Sequence, residues 1–349
     1  MTRVLVTGGA GFIGSRIVVA ALARGWEVRV IDALVPSVHQ TRPEIAREVE
    51  FIEADVTDPA ALDRCMQGVD VVSHQAAKVG MGVDFSDAPD YMRANAVGTA
   101  EVLAAMSRAE IGRLVLASSM VVYGEGRYVG HHGDVRPGPR RAEDLQNGMF
   151  EPRDPASGEI LNPALTVEDA ILDPRSVYAA SKLAQEHLAT IWAHEVGGKV
   201  AMLRYHNVYG PGMPRDTPYA GVAAIFRSSL EHAQAPRVFE DGGQRRDFVH
   251  VDDIASANVA AMEWTARMDA APSRAFNIGS GTVSTILDVA SELSRVCNGP
   301  EPIVTGQFRA ADVRHITASS ERAHAELAWS ASVGLAEGLR EFAASPLRD

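Results

Sequence analysis

Short, almost uniformly apolar runs recur along the first two thirds of the chain: RVLVT (3–7), WEVRVI (26–31), VEFIEA (49–54), VDVVSH (69–74), RLVLAS (113–118) and KVAMLR (199–204). A strand with one wet face alternates apolar and polar residues, whereas a strand covered on both faces stays apolar throughout. Stretches of helical character separate most of these runs: FIGSRIVVAALARG after the first, then about 59–66, 90–109 and 179–196. Gly25 stands where the first helix needs a left-handed residue to end it. The alternation predicts an α/β protein with a doubly wound parallel sheet and helices on both faces. Beyond about residue 208 the rhythm loosens into Gly- and Pro-containing loops and shorter elements. That region is expected as a smaller α/β lobe over the carboxyl edge of the sheet.

Residues 127–175 break the pattern. They are dense in Pro, Gly and charge with little periodicity, which suits a lid, an interaction loop or a partly disordered insertion. The bulk numbers narrow the class further. Of the 349 residues, 46% are hydrophobic and 22% charged, enough apolar material for a packed globular chain. With 33 basic against 45 acidic residues the formal charge is −12, which disfavours nucleic acid or an anionic membrane as partner. No apolar run reaches membrane-spanning length, and MTRVLVTGG enters a strand with no leader ahead of it, so a cytoplasmic protein is expected. Cys65 and Cys297 are isolated, and His131-His132 lacks further ligands at suitable spacing, so no metal is expected.

The first strand runs directly into TGGAGFIG, which holds Gly8-x-x-Gly11-x-x-Gly14 with Phe12 and Ile13 opening a helix. Glycine at these places permits a tight turn, close backbone approach to a pyrophosphate, and close packing of helix on strand. The helix start adds free N–H groups and a partial positive charge. Asp32 follows at the end of the second strand, where a carboxylate accepts from both ribose hydroxyls and repels a 2′-phosphate. NAD is therefore the expected cofactor, held by a Rossmann-type domain over 1–207 that carries the 127–175 insertion. A segment near 240–268 is expected to return to that domain, leaving 208–349 mainly to the ligand lobe.

VYAASK places Tyr178 and Lys182 four residues apart, on one face of a helix. A tyrosine ionises near pH ~10, so a base at neutrality needs roughly 4 kcal/mol of phenolate stabilisation. A neighbouring ammonium and the cofactor's positive charge in a water-poor cleft are expected to supply it.

Together with HQAA (74–77), Asn95, SSMVVYG (118–124), LRYHNVYGP (203–211), DGGQRRDFVHVDD (241–253), FNIGSG (276–281) and Arg309-x-x-Asp312, these motifs resemble the extended short-chain dehydrogenase/reductase family. Within it they are most similar to the nucleotide-sugar epimerases and dehydratases, over nearly the whole chain. The resemblance implies that Tyr178 is the catalytic base, that Lys182 anchors the nicotinamide ribose, and that Ser119 hydrogen-bonds the reacting sugar hydroxyl with Met120 beside it. It implies Asp55 and Val56 at the adenine, and Ala76, Ala77, Asn95 and Ser118 near the cofactor. Asn207, Arg246 and Arg309 would grip the diphosphate of a nucleotide sugar, a task that arginine forks suit. A homodimer built on the 90–109 and 179–196 helices is implied as well. His206 departs from the pattern, since an aromatic or hydrophobic residue is usual there. Either a packed histidine or altered sugar contacts would account for it.

In that family, the dehydratases and decarboxylases place acidic residues just after the strand-end Ser or Thr. Met120 and Val121 stand there instead and cannot transfer protons. The expected reaction is therefore oxidation at sugar C4 and return of the hydride to the opposite face, a 4-epimerisation. SSMVVYGEG, the long insertion, PYAGVAAIF (218–226) and VFEDGGQRRDFVHVDD (238–253) are most similar to the dTDP-L-rhamnose 4-epimerase group. A dTDP- or UDP-linked sugar is the expected small-molecule partner. The alternatives are a 4-ketoreductase, a UDP-glucose or UDP-uronate 4-epimerase, and a non-catalytic NAD-binding sensor.

Overall fold

Period-two sorting of apolar side chains builds the core on two sides of one sheet. The computed structural model describes residues 1–80, 84–215, 221–268, 273–309 and 312–348. The 218–220 part of PYAGVAAIF and the two residues between Arg309 and Asp312 lie outside these. The chain opens with β1 (Arg3–Thr7), β2 (Glu27–Asp32), β3 (Glu50–Glu53), β4 (Val71–His74) and β5 (Arg113–Ser119). With the strands Lys199–Tyr205 and Ser273–Ile278 they form a seven-stranded sheet in the order Ser273–Ile278, Lys199–Tyr205, β5, β4, β1, β2, β3. Every pairing in it is parallel. The strand order reverses between β1 and β4, and a doubly wound sheet opens its ligand crevice at that point.

Val4, Val6, Val30, Val115 and Leu203 face α1 (Phe12–Ala23) and the helix Val251–Arg267. Leu5, Ile31, Val72, Leu116 and Met202 face the other way, against Leu62, Val102 and Trp192 of three further helices. α1 ends as its sequence requires. Gly25 takes φ +72°, its N–H reaches Leu22 O, and the Trp26 N–H reaches Ala21 O.

Three features differ from the sequence expectation. Ser273–Ile278 is a seventh parallel strand, unforeseen because it opens on polar residues and borders only one neighbour. The region beyond 208 also holds the 17-residue helix Val251–Arg267, longer than the short elements expected there. The insertion carries a three-stranded antiparallel sheet, Gly133–Val135, Arg127–Gly130 and Asn162–Ala164, and a short helix Ala142–Gln146. Buried Tyr128, Leu145 and Leu161 anchor it without any regular period, and ion pairs help to fasten it. The Arg314 guanidinium, fully buried, bonds Glu151 of the insertion together with Glu240 and Asp241. Arg140 reaches out of the insertion to Glu240 and to the Asp312 carbonyl. His131 and His132 sit exposed at the tip of the first hairpin.

A second, small sheet has Asn207–Tyr209 running parallel to Arg245–His250, and Val283–Thr285 antiparallel to it. Tyr209, Phe226, Phe248, Leu293 and Phe342 close its core. Among the described residues no helix is long and apolar enough to cross a membrane.

Candidate active site

The loops that follow β1 and β4 meet with no room for a side chain between them. Gly8 has φ +66°, and a Cβ on it would stand 2.8 Å from the Ala76 backbone; one on Gly14 would lie 2.1 Å from Gly8 O. α1 starts after Gly11 with no side-chain cap and no acid in its first turn. Phe12, Ile13 and Gly14 therefore offer uncapped N–H groups at the positive end of the helix dipole. Thr7 Oγ1 holds the second loop, accepting the Gln75 and Ala76 N–H groups at 3.1 Å each. Its own proton goes to His74 Nδ1 at 2.7 Å, which leaves the imidazole proton on Nε2, facing Thr99 at 2.9 Å. Burial and the charge of Lys182 push the His74 pKa down to about 3, so the ring stays neutral.

Asp32 is buried at the end of β2. Its Oδ2 accepts the Ala10 N–H and its Oδ1 the Leu34 N–H, both at 3.0 Å. His39 lies 3.6 Å away, and Arg348, from the far end of the chain, bonds His39 and donates to the Ala10 carbonyl at 2.8 Å. The Asp55 carboxylate is exposed and holds the Thr57 N–H and hydroxyl, while Val56 is buried. Asn95, on a π-helical turn (Met92–Val97), clasps both backbone groups of Lys78 at 2.7 and 2.9 Å and donates to Ser181 Oγ at 2.8 Å. The loop bearing Ala76 and Ala77 is thereby tied to the helix of Tyr178. An uncapped helix start, a contact that admits no Cβ, and a buried carboxylate one strand away fit NAD. Gly14→Ala should weaken NAD binding more than tenfold, since the new methyl overlaps the Gly8 carbonyl; forced overpacking costs about 1–3 kcal/mol or more. Calorimetric titration with NAD, with circular dichroism to check the fold, tests this, and unchanged affinity would refute the cradle.

Ser119 is the last residue of β5 and the cap of a short 3₁₀ turn, Met120–Tyr123. Ser176 caps the helix Val177–Val196, which puts Tyr178 in its first turn and Lys182 one turn on. Burial pushes the Tyr178 hydroxyl up to about 12, with its hydrogen bond to Ser119 pulling the other way. Lys182 donates to the Ala117 carbonyl at 2.9 Å. Burial pushes its pKa down to about 7, while the charge of Glu186 holds it up. The lowering of Tyr178 by Lys182 that the sequence suggested is not found in the protein by itself. The ammonium is turned to a backbone carbonyl, and burial is the largest influence on the phenol.

Beneath this pair lies a buried network that motif reading missed. Glu186 takes the Ser118 hydroxyl at 2.5 Å and grips Arg204 at 2.9 and 2.7 Å. Arg204 also donates to the Tyr123 hydroxyl and the Glu168 carbonyl, both at 2.8 Å. Its signal was available, since Tyr178, Lys182 and Glu186 recur every fourth residue on one helical stripe. Ser118, expected near the cofactor, has its hydroxyl engaged with Glu186, which leaves its backbone for any such contact.

On the ligand-lobe side, Asn207 and Arg246 lie on paired strands. Arg246 is half-buried and donates to the carbonyls of Arg245, Arg314 and Val313 at 2.9, 2.9 and 2.7 Å. Arg309 stands apart, exposed, with its guanidinium 5.3 Å from the centre of the Phe239 ring. Met120 and Val121 are half-buried beside Ser119.

Residues 4–279 match the NAD dependent epimerase/dehydratase family. The chain is 36% identical to a dTDP-L-rhamnose 4-epimerase of Burkholderia thailandensis, over 97% of this chain and 93% of that one. It is 29% identical to a putative UDP-glucose 4-epimerase of Methanocaldococcus jannaschii, over 97% and 96%. Among solved structures, the fold is similar to a Thermus thermophilus UDP-glucose 4-epimerase complexed with NAD: TM-score 0.75, 30% identity, 98% of both chains. A Thermotoga maritima UDP-glucose 4-epimerase with UDP-glucose superposes with a TM-score of 0.79 at 27% identity, over 98% and 97%.

Proposed function

The chain belongs to the NAD-dependent epimerase/dehydratase family, and within it we propose a nucleotide-sugar 4-epimerase that works through a transient 4-keto sugar. The observation that carries this reading is the meeting of Ser119, at the end of β5, with Tyr178, in the first turn of its helix, with Met120 and Val121 directly after the serine. A hydroxyl and a phenol can hold and deprotonate one sugar hydroxyl. Met120 and Val121 add no group for the further proton transfers of an elimination or a decarboxylation. Bound NAD supplies a hydride acceptor that later returns what it received. Tyr178 takes the hydroxyl proton as the carbonyl forms, Ser119 holds the oxygen, and Tyr178 gives the proton back when the carbonyl is reduced. Inversion needs the ketone to turn over in between. We therefore assign Asn207, Arg246 and Arg309 to the diphosphate, so that the sugar alone moves.

For the substrate we propose a dTDP-deoxyhexose such as dTDP-L-rhamnose, the compound named for the Burkholderia thailandensis relative. A UDP-sugar is the alternative, after the Methanocaldococcus jannaschii relative. Incubating dTDP-, UDP- and GDP-sugars without added cofactor, followed by NMR, should show one pair of 4-epimers interconverting. Turnover only with added NADH or NADPH would make the protein a ketoreductase instead. Apolar Met92, Val97 and Ile191 are exposed on the helices proposed to pair two copies into a homodimer, and sedimentation as a monomer would remove that proposal. The free thiols of Cys65 and Cys297 suit a reducing, cytoplasmic setting, testable by fractionation.

A further inference from the structure

His206 is buried to 3% exposure, yet neither Nδ1 nor Nε2 has a hydrogen-bond partner in the chain. Its place is fixed by backbone. Tyr205, just before it, pairs in register with Ser119, and the His206 N–H is tied to Ile278 O at 3.0 Å. The chain then leaves the large sheet for the small one at Asn207. The ring therefore sits where the two lobes join, one residue past the neighbour of Ser119. Asn207 repeats the pattern, because its Oδ1 is also buried and unpartnered. His206 thus carries two unpaired polar atoms one residue past the strand partner of Ser119.

An unpaired buried polar group costs free energy that an apolar residue of similar size would not. We propose that His206 is a ligand-reading residue that hydrogen-bonds a neutral group offering both a donor and an acceptor at the reacting end of the bound ligands. This rests on the epimerase reading, in which two such groups come to this place: a hydroxyl of the sugar and the carboxamide of the nicotinamide. Burial and the charge of Arg246 push the imidazole pKa down to about 3, so the ring is uncharged at neutral pH and carries one N–H and one lone pair. It therefore takes no part as acid or base, and it favours a hydroxyl over the carboxylate of a uronic acid, which would leave the lone pair facing negative charge.

The test compares the parent with His206→Phe, which keeps an aromatic ring, and His206→Gln, which restores a neutral donor and acceptor. Binding of dTDP-L-rhamnose and UDP-glucose, of dTDP and UDP alone, and of NAD is followed by calorimetry, with melting temperature as the fold control. His206→Phe should weaken one ligand class by roughly 5- to 150-fold, the loss expected for a buried group left unpaired. It should leave dTDP and UDP binding unchanged, and the melting temperature of the unliganded protein unchanged or raised, since an unpaired polar group is removed. Weakened sugar-nucleotide binding identifies the hydroxyl, weakened NAD binding identifies the carboxamide, and His206→Gln should recover part of either loss. Sugar-nucleotide and NAD binding both within twofold of the parent overturns the inference, as does a lowered melting temperature without ligand, which would make His206 a packing residue. A parent that binds none of the sugar nucleotides takes the epimerase reading down as well, so the two failures are distinct.

Discussion

Tyr178→Phe should lower kcat by roughly 10²–10⁴-fold, the usual contribution of a positioned acid–base group, while fold and NAD affinity hold. Tyr178 is half-buried in the first turn of its helix, and removing one oxygen opens no large cavity. The same substitution gives a second readout. With the hydroxyl pushed up to about 12 in the protein by itself, bringing it to neutrality takes roughly 7 kcal/mol of phenolate stabilisation. Lys182 stands on the same helical face and needs only to swing from the Ala117 carbonyl to contribute. Phenolate absorbance, taken as the difference between parent and Tyr178→Phe, should therefore appear at much lower pH with NAD present than without it. An NAD-independent titration, or near-normal turnover by the variant, would sink the base assignment.

Glu186→Gln should cost about 3–5 kcal/mol of stability, the range for removing one partner of a buried ion pair. The carboxylate accepts from both Arg204 nitrogens and from Ser118, and an amide there turns one acceptor into a donor facing a guanidinium. Denaturant unfolding measures the loss. Glu186→Met combined with Arg204→Met should regain most of it, because a buried pair replaced whole by apolar side chains is close to neutral. The single variant should also depress the Lys182 pKa below about 7, since Glu186 is the charge that opposes its desolvation. A loss of under about 1 kcal/mol, the value of an exposed pair, would show that the network is wet and loosely held.

Much of this was legible in the order of residues, for a physical reason. Strands covered on both faces write themselves as apolar runs, so six of the seven central strands could be read directly. The glycine turn, Asp32 and the Tyr178–Lys182 spacing are short-range features, and short-range features survive in sequence. Contacts between distant segments do not. Asn95 on Ser181, Arg348 on Ala10 and Arg314 on Glu151 join residues far apart in the chain, and none makes a periodic pattern. Ser273–Ile278 was missed because an edge strand needs less apolar surface than a central one. The elements of the 127–175 insertion were not legible because its buried Tyr128, Leu145 and Leu161 follow no period and ion pairs to distant segments share the task of holding it.

The far end of the chain also bears on how the protein is handled. Arg348 donates to the Ala10 carbonyl inside the glycine turn, and its backbone pairs with Met213 and Arg215. An affinity tag fused beyond it would start beside the glycine turn that follows β1. Met1 is 92% exposed. A purification handle on the exposed Met1 avoids the Arg348–Ala10 contact, whereas one joined beyond Arg348 starts beside it.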